Sequence, residues 1–390
     1  MPNVQDQLAT LGLQTLADKP FCTLDSLILT QIVYLPLEGL LDRDGATATI
    51  AQAWDFLRET YPNNLEDRFQ RKRFTLAGVG AAQPRYRDWV LGDYVNIIND
   101  ERIEQFAALS AHLPDGSWYA AFRGTDLTAA GWKEDLNMAF LTPVPSQTDA
   151  VDYVRRIAAR DGAPIRMGGH SKGGNLALYA GIYTPLPEQQ RIAQVYSFDG
   201  PGLDAPSLTD AGYERIRDRV ESVIPQSSVV GMLMSYHPIY TVVRSDAVGL
   251  MQHDALTWQV KNEQFEALES LDLSGRITDE ALRQWLDSLA VEDRRALVEA
   301  ISRIVDAEAE DSLGDLVDEM LRSSRRLVTL LWDPSPEVRR SLRLLLRCFM
   351  QAGADNVART IAPDLLRLIK RGADEGKADT QEEAAHTGRG

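Results

Sequence analysis

The chain has 390 residues, of which 44% are hydrophobic and 25% charged, and its formal net charge is −16. This composition is that of a soluble globular protein, and the negative charge argues against a nucleic-acid partner, whose phosphates it would repel. The two cysteines, Cys22 and Cys348, are far apart and have no metal-ligand spacing, so neither a disulfide scaffold nor a metal site is indicated. The sequence shows no signal-peptide pattern and no apolar run of bilayer length, so we expect a cytoplasmic protein.

Hydrophobic spacing predicts helices in the first 75 residues and alternating strands and helices from about residue 90 to 260. LDSLILTQIVYLPLEGLL and TIAQAWDFLRETY carry apolar residues at helical intervals. EQFAALSAHL and SWYAAFRG read as strands joined by a turn at Pro114-Asp115-Gly116. Two further helices, TDAVDYVRRIAAR and KGGNLALYAGI, alternate with the predicted strands PIRMGG, QVYSFD, RVESVIP and YTVVRSD. This alternation predicts an α/β fold with a mostly parallel central sheet.

The same patterns divide the chain into three parts. We expect an α/β domain with its N-terminal helices at residues 1–260, an all-α C-terminal region at 261–375, and a disordered tail at 376–390. Residues 321–372 hold eleven Lys and Arg against four Asp and Glu. In VRRSLRLLLRCFM, one face is shared by Leu342, Leu345, Leu346 and Phe349, and the arginines lie elsewhere. Such basic helices either pack on the rest of the protein or contact an anionic membrane surface or a partner helix.

The stretch RMGGHSKGGNLALYAG contains Gly169-His170-Ser171-Lys172-Gly173, which matches G-x-S-x-G. This motif makes a sharp turn between a strand and a helix that exposes a nucleophilic serine, and the predicted elements on both sides supply that setting. A phosphate-binding loop requires Gly-Lys-Ser/Thr in that order, which is not the order here. A plain glycine turn with an incidental serine is the alternative. If Ser171 is a nucleophile, the amide of Lys172 is one oxyanion donor.

The block AFRGTDLTAAGWKEDLNMAF, followed by GGHSKGGNLALYAG, resembles the class 3 lipases of the α/β-hydrolase superfamily. The sequence is more similar to a bacterial lipase-like family, Mbeg-like, that carries the same blocks together with FDGPG and QHD. The resemblance covers roughly residues 20–260 and implies the α/β-hydrolase fold. It implies that Thr125 supplies backbone and hydroxyl donors to the oxyanion hole, and that the segment around Trp132 is a lid. Asp135 and Asn137 would be polar anchors at the base of that lid.

Five histidines are candidates for the base that would activate Ser171. His253 follows the last predicted strand of the α/β part, where α/β-hydrolases place the base, and His237, before that strand, is the second choice. His170 adjoins the nucleophile, and we expect it to support the turn. The other two lie in a predicted strand and in the tail: His112 and His386.

The position of the triad acid departs from the family pattern. Class 3 lipases carry it after the second strand beyond the nucleophile helix, where this sequence has Ser227 and Ser228 and no carboxylate. Asp199, at the end of the preceding strand, lies on the same edge of a parallel sheet and is the substitute. Otherwise Asp199 is a turn residue before Gly-Pro-Gly. Asp246 and Asp254 are alternatives, although Asp254 adjoins the base in sequence, which directs the two side chains apart.

Two basic side chains adjoin the predicted site. Lys172 stands where lipases carry an apolar residue, and we expect its ammonium to be solvated or paired with a lid carboxylate, with selection of an anionic head group as the alternative. For Arg123, a buried ion pair that stiffens the oxyanion loop is favoured over a direct part in catalysis.

We therefore expect a serine hydrolase that cleaves carboxylic esters, with acyl lipids as the expected substrates, through an acyl-enzyme. The predicted site is a triad with two oxyanion amides: Ser171, Asp199, His253, Lys172 and Thr125. No cofactor or metal is expected, and the partner is a small-molecule ester or lipid, with peripheral membrane contact through the basic helices at 321–372. The alternative is a catalytically weak α/β-hydrolase-fold module that binds an acyl ligand or a protein partner, because a fold alone does not fix activity.

Overall fold

The structure of the protein is a computed structural model, and its described residues all lie in one compact unit, Met1–Asp279. They are residues 3–61, 68–125, 129–138, 141–228, 230–232, 234 and 239–272. The predicted helical region and tail lie outside the described residues, apart from 261–272, and so do the basic helices at 321–372. Those assignments stay predictions.

Most of the described strands belong to one sheet. In chain order the strands are β1 (Thr47–Thr49), β2 (Val90–Asn99), β3 (Glu104–His112), β4 (Trp118–Phe122), β5 (Ile165–His170), β6 (Ile192–Phe198), β7 (Val220–Pro225), β8 (Thr241–Val243), β9 (Val260–Lys261), β10 (Gln264–Phe265) and β11 (Ala267–Leu268). The large sheet has nine strands in the order β1-β2-β3-β4-β5-β6-β7-β8-β11, and β9 and β10 form a separate two-stranded ribbon.

The middle of the large sheet is parallel and its sides are antiparallel. Strands β4 to β8 pair in parallel, whereas β1 to β4 and the pair β8–β11 are antiparallel. The predicted hairpin is present, because His112 pairs with Trp118 on either side of the Pro114-Asp115-Gly116 turn. The fold is therefore mixed α/β, and the expectation of a mostly parallel centre applies to β4–β8.

Helices surround the sheet. They are α1 (Val4–Leu11), α2 (Thr23–Ile32), α3 (Ile50–Thr60), α4 (Arg68–Ala82), α5 (Ala129–Met138), α6 (Pro145–Ala158), α7 (Lys172–Tyr183), α8 (Ala205–Leu208) and α9 (Ala211–Ile216). Helix α2 is shorter than the apolar pattern predicts, because Pro36 has no amide for the Ile32 carbonyl and its ring would clash with it. Within the described ranges, no helix combines the length and the apolar character needed to cross a bilayer.

The two faces of the sheet are buried against different helices. Along β4, Tyr119 and Ala121 belong to a core shared with α1–α4, whereas Ala120 and Phe122 belong to a second core shared with α6 and α7. Successive side chains of a strand point to opposite faces, so a strand buried on both faces reads as a continuous apolar run. This is why β4 is recognisable in the sequence.

Two parts of the sheet differ from the sequence-based expectation. Strand β2 is not predicted, since the polar residues Asp93 and Asn96 interrupt its alternation, and its pairing with β3 shifts register between Gly92 and Val95. Strands β9 to β11 lie at 260–268, so strands continue past residue 260, where the pattern predicts that they stop. The register shift explains the first difference, because a bulge allows polar side chains inside a paired strand.

Candidate active site

Ser171 occupies a sharp turn between β5 and α7. Strand β5 ends at His170 and α7 begins at Lys172, so Ser171 alone connects the two elements. Its φ of 59° and ψ of −134° are unusual for a residue with a side chain and cost about 1–3 kcal/mol. The Ser171 amide donates to the Phe198 carbonyl of β6 at 2.9 Å, and its carbonyl accepts from Gly174 at 2.8 Å. The turn is the strained geometry that the G-x-S-x-G motif requires.

The glycines of the motif are required by close backbone approach. A Cβ atom on Gly169 would lie 2.1 Å from backbone atoms of Gly173. A Cβ atom on Gly173 would lie 2.2 Å from the carbonyl oxygen of Phe122 in β4. Strand β5, helix α7 and strand β4 therefore meet where no side chain fits.

Asp199 follows β6 and lies at the same edge of the sheet as Ser171. Its carboxylate is buried, and its two oxygens have different partners. Oδ1 accepts hydrogen bonds from the Ser228 hydroxyl and, at 3.1 Å, from the Gly231 amide. Oδ2 lies 2.7 Å from Nδ1 of His253. The carboxylate thus accepts hydrogen bonds from three donors.

His253 ends a one-turn 3₁₀-helix, Gly249–His253, that follows β8. Because the Asp199 carboxylate accepts, the proton of a neutral His253 ring resides on Nδ1, and Nε2 is left as a free acceptor. Trp258 stabilises this 3₁₀-helix, because its Nε1 donates a hydrogen bond to the Gln252 carbonyl at 2.8 Å. The imidazole has the tautomer and orientation that a general base needs.

The structure brings Ser171, Asp199 and His253 to one edge of the sheet but does not join all three. Ser171 and Asp199 are linked through adjacent strand ends, and Asp199 and His253 are in direct contact. Among the described residues, no hydrogen bond connects the Ser171 hydroxyl to His253. Such contacts are often long without substrate and shorten in the reacting complex.

The alternative acids and the second candidate base are not part of this arrangement. Asp254 forms an ion pair with Lys72 at 2.5 Å, and Asp246 accepts from the Gln259 amide group. Both carboxylates are therefore engaged elsewhere. His237 lies outside the described residues.

The loop after β4 carries the predicted oxyanion donors. Arg123 is buried and donates to Asn96 at 2.9 Å, which ties the loop to β2 and agrees with a stiffening role. The amide of Gly124 donates to the hydroxyl of Tyr34 at 2.8 Å. Among the described residues, the amide of Thr125 has no hydrogen-bond partner, nor does that of Lys172 at the start of α7. These two amides are free to bind a negatively charged oxygen.

The hydroxyl of Thr125 is not available as an oxyanion donor. The family resemblance implies both a backbone and a hydroxyl donor from Thr125, and the hydroxyl part of that expectation is wrong. It donates to the carboxylate of Asp135 in α5. Burial raises the pKa of Asp135 to about 6, although the charge of Lys172 and the Thr125 hydroxyl lower it. Asp135 is thus an anchor that holds the loop to α5.

The side chain of Lys172 points away from the site. Its ammonium is 1% exposed, pairs with Glu134 of α5 at 2.5 Å and donates to the Gln105 carbonyl at 2.6 Å. Glu134 in turn accepts from the amides of Gln105 and Ser146, each at 2.9 Å. Of the alternatives for Lys172, pairing with a carboxylate of the segment predicted to be a lid is correct, whereas solvation of its side chain or contact with an anionic head group is wrong. A buried ion pair therefore fixes α5 to the first turn of α7.

The remaining predicted features are placed only in part. Trp132 lies in α5, and its side chain is outside the described part of the chain. Within the described ranges, no cluster of three or more His, Cys, Asp and Glu side chains has the arrangement of a metal site. Cys22 is a free thiol beside α2.

Three residues of this region are not predicted by sequence reasoning: Tyr34, Glu134 and Ser228. Tyr34 is distant in sequence and carries no motif. The sequence analysis indicates Glu134 only indirectly, through the expectation that Lys172 pairs with a carboxylate of the predicted lid. Ser228 stands where the class 3 lipase pattern predicts a carboxylate. In the structure its hydroxyl donates a hydrogen bond to Asp199 instead.

The fold is a mixed α/β sheet in which Ser171 lies at a strand–helix turn, Asp199 follows β6 and His253 lies in the segment after β8. The model of the Mbeg1-like family matches residues 80–303, and the chain belongs to this family. This confirms the resemblance to the Mbeg-like proteins.

Several solved structures also match this chain. The crystal structure of M37 lipase is similar with 14% sequence identity and a TM-score of 0.30, covering 53% of this chain and 68% of that chain. None of the curated proteins matches the sequence.

Proposed function

We propose that the chain is a serine hydrolase of carboxylic esters with the α/β-hydrolase fold. The observation that carries the proposal is the 2.7 Å contact between His253 Nδ1 and Asp199 Oδ2 beside the strained turn of Ser171. In an α/β-hydrolase the serine, the acid and the histidine occur in that order along the chain. Here they follow β5, β6 and β8.

In the proposed reaction, the Ser171 hydroxyl attacks the carbonyl carbon of an ester while His253 Nε2 takes the hydroxyl proton. The negative charge on the carbonyl oxygen is stabilised by the free amides of Lys172 and Thr125. The imidazolium, stabilised by Asp199, then returns the proton to the leaving alcohol. A water molecule, deprotonated by His253, attacks the acyl-enzyme, and the carboxylic acid leaves with Ser171 restored.

Acyl lipids are the proposed substrates. Support comes from the turn that carries His253, where Val248 is 74% exposed and Met251 is 38% exposed. Apolar side chains exposed at the rim of a catalytic site favour contact with an acyl chain or a lipid surface. The lipase-like resemblance of the sequence points to the same substrate class.

The proposal is tested with a fluorophosphonate probe, which labels an activated serine covalently, and with esters of graded acyl length. We expect wild-type protein to be labelled and to hydrolyse esters, and Ser171→Ala to lose both. His253→Ala and Asp199→Asn should each lower kcat by at least about a hundredfold. Absence of labelling and of turnover in the folded wild-type protein would exclude the enzyme.

Matched control variants separate the site from general damage. His112→Ala removes a histidine at the end of β3, and Asp254→Asn removes the carboxylate next to His253 that faces Lys72. Both should keep the labelling rate of the wild type within about twofold. A loss in Asp254→Asn with full activity in Asp199→Asn would move the acid to Asp254.

One observation favours a second candidate function, a catalytically weak module that binds an acyl ligand or a protein partner. The Ser171 hydroxyl has no hydrogen bond to His253 among the described contacts. This candidate predicts that a fatty-acid analogue binds the wild type and Ser171→Ala equally well while no ester is turned over. Titration of both proteins with a fluorescent fatty acid, beside the ester assay, distinguishes the two functions.

A further inference from the structure

Tyr34 reaches the candidate active site from the N-terminal helices. It follows the end of α2 by two residues and is buried, and its hydroxyl accepts from the Gly124 amide at 2.8 Å. The same hydroxyl lies 3.4 Å from Nδ1 and 3.4 Å from the carbonyl oxygen of His170. Because it accepts from Gly124, its own proton is directed towards His170.

His170 connects Tyr34 to the backbone of the base. Its Nε2 lies 2.7 Å from the carbonyl oxygen of His253, and since a carbonyl only accepts, Nε2 carries the proton. Burial, and then the charge of His253, hold the pKa of His170 well below its usual range, so the ring is neutral. Its Nδ1 therefore has no proton and accepts from Tyr34. The hydrogen bonds run in one direction, from Gly124 through Tyr34 and His170 to His253.

Packing holds this connection in place from two sides. The rings of His170 and His253 have centroids 4.6 Å apart and are inclined by 35°. A neutral ring there does not oppose the positive charge that His253 would acquire on taking a proton. On the other side, the guanidinium of Arg73 lies 4.0 Å from the centroid of the Tyr34 ring, a cation–π contact.

The space around Gly124 shows how closely the connected parts approach each other. A Cβ atom at this position would lie 2.3 Å from the Tyr34 hydroxyl and 2.9 Å from Cβ of Ser171. A displacement of the Tyr34 hydroxyl would therefore be transmitted to the loop that carries the Thr125 amide.

We propose that Tyr34 and His170 are positioning residues that hold the oxyanion loop and the backbone of His253 at a fixed distance from each other across Ser171. The inference rests on the proposed function, because it concerns the groups that would bind the oxyanion and take the proton. Neither side chain would touch substrate. Both would affect kcat by keeping the oxyanion-binding amide of Thr125 and the proposed base His253 correctly placed relative to each other.

The test uses Tyr34→Phe, which removes only the hydroxyl, and His170→Met, which removes both ring nitrogens. We expect each to lower kcat for an ester and the fluorophosphonate labelling rate of Ser171 by about tenfold, with KM changed by less than about twofold. His170→Gln, whose amide can still donate to the His253 carbonyl, should recover most of the loss. The double variant Tyr34→Phe/His170→Met should be no worse than the more damaged single variant, because both interrupt one connection.

A control and a second readout keep this inference separate from the proposed function. Tyr119→Phe removes another buried hydroxyl, one that contacts Ser26, and should leave kcat unchanged. The proton on His253 Nδ1 gives a second readout in the NMR spectrum. Its exchange with water should be faster in Tyr34→Phe and His170→Met than in the wild type or Tyr119→Phe.

If the wild type turns over esters while both variants keep its kcat and its Nδ1 proton exchange, the positioning role is wrong and the hydrolase proposal stands. If the wild type has no activity, the hydrolase proposal fails. The exchange rates then still decide whether Tyr34 and His170 hold His253 in place, with unchanged exchange again overturning the inference.

Discussion

The hydroxyl of Ser228 donates a hydrogen bond to Oδ1 of Asp199. In the class 3 lipase pattern this part of the chain carries the triad acid, and here it supports a carboxylate at the end of the neighbouring strand. The serine at this position therefore contacts the carboxylate that we propose as the triad acid.

Removal of that donor gives the first prediction. Ser228→Ala leaves Oδ1 of Asp199 with the Gly231 amide alone, so we expect a weaker hold on His253 and a fall in kcat of about three- to tenfold. KM for a short ester should change little. Ser207→Ala is the matched control, since its buried hydroxyl contacts Tyr183 at 3.0 Å. Equal kcat values for the two alanine variants would contradict the supporting role.

The buried ion pair between Lys172 and Glu134 gives a prediction about stability. Lys172→Met leaves Glu134 charged and without its cation, which should lower the free energy of unfolding by about 3–5 kcal/mol in urea titrations. The double variant Lys172→Met/Glu134→Gln should be less destabilised than the single variant, because no uncompensated charge remains. Lys261→Met, at an exposed lysine, is the control and should unfold like the wild type. If the loss of unfolding free energy in the double variant equals the sum of the losses in the two single variants, the ion pair is not the source of the destabilisation.

The motif glycines give a prediction with a sharp contrast. Gly169→Ala places a Cβ atom 2.1 Å from backbone of Gly173, and we expect it to lower the free energy of unfolding by about 3 kcal/mol or more. In Gly162→Ala the new Cβ atom meets nothing within 4 Å, so the free energy of unfolding of that variant should equal that of the wild type or exceed it by up to about 1 kcal/mol. Thermal unfolding followed by circular dichroism measures both. A Gly169→Ala protein as stable as Gly162→Ala would contradict the close approach of β5 and α7.

Asp135 gives a prediction about pH. Its pKa in the folded protein is about 6, above its ordinary value of about 4, so the folded state binds a proton that the unfolded state releases. Its contribution to stability is therefore complete below about pH 4 and is lost as the pH rises to 6. In urea unfolding at intervals from pH 4 to 7, the free energy of unfolding of the wild type should therefore fall relative to that of Asp135→Asn as the pH rises.

Asp161 is the control for this measurement, because its shift has the opposite sign. Hydrogen bonds from Trp118 and the Ala163 amide lower the pKa of its carboxyl. Asp161→Asn should therefore remove stability that the wild type has above about pH 4. Identical pH profiles for Asp135→Asn and the wild type would place the titration elsewhere.

Local chemistry explains what the sequence predicts correctly. The turn at Ser171 requires glycines at fixed spacing, and strands such as β4 are apolar along their whole length, so both are visible in the residues themselves. The position of Asp199 follows from a topological rule, because the carboxyl ends of parallel strands lie at one edge.

Features that depend on long-range pairing are not predicted in this way. Tyr34 lies 90 residues before Gly124, and its hydroxyl accepts a hydrogen bond from the Gly124 amide. Nothing in either segment of the sequence indicates this contact. The side chain of Lys172 could be read as solvated or as buried, and only the position of Glu134 distinguishes the two. Strand β2 is not recognisable in the sequence, because its register shift breaks the alternation of apolar and polar side chains.

The hydrogen bond from Gly124 to Tyr34 also bears on where this protein can be shortened. The Mbeg1-like match begins at residue 80, whereas Tyr34 and Arg73 come before it. A truncated chain that started at the family match would lose the acceptor of the Gly124 amide. It would also uncover the sheet face that α1–α4 bury, including the side chains of Tyr119 and Ala121. The family match therefore begins later than the compact unit that starts at Met1, and the N-terminal helices are part of that unit rather than a detachable prefix.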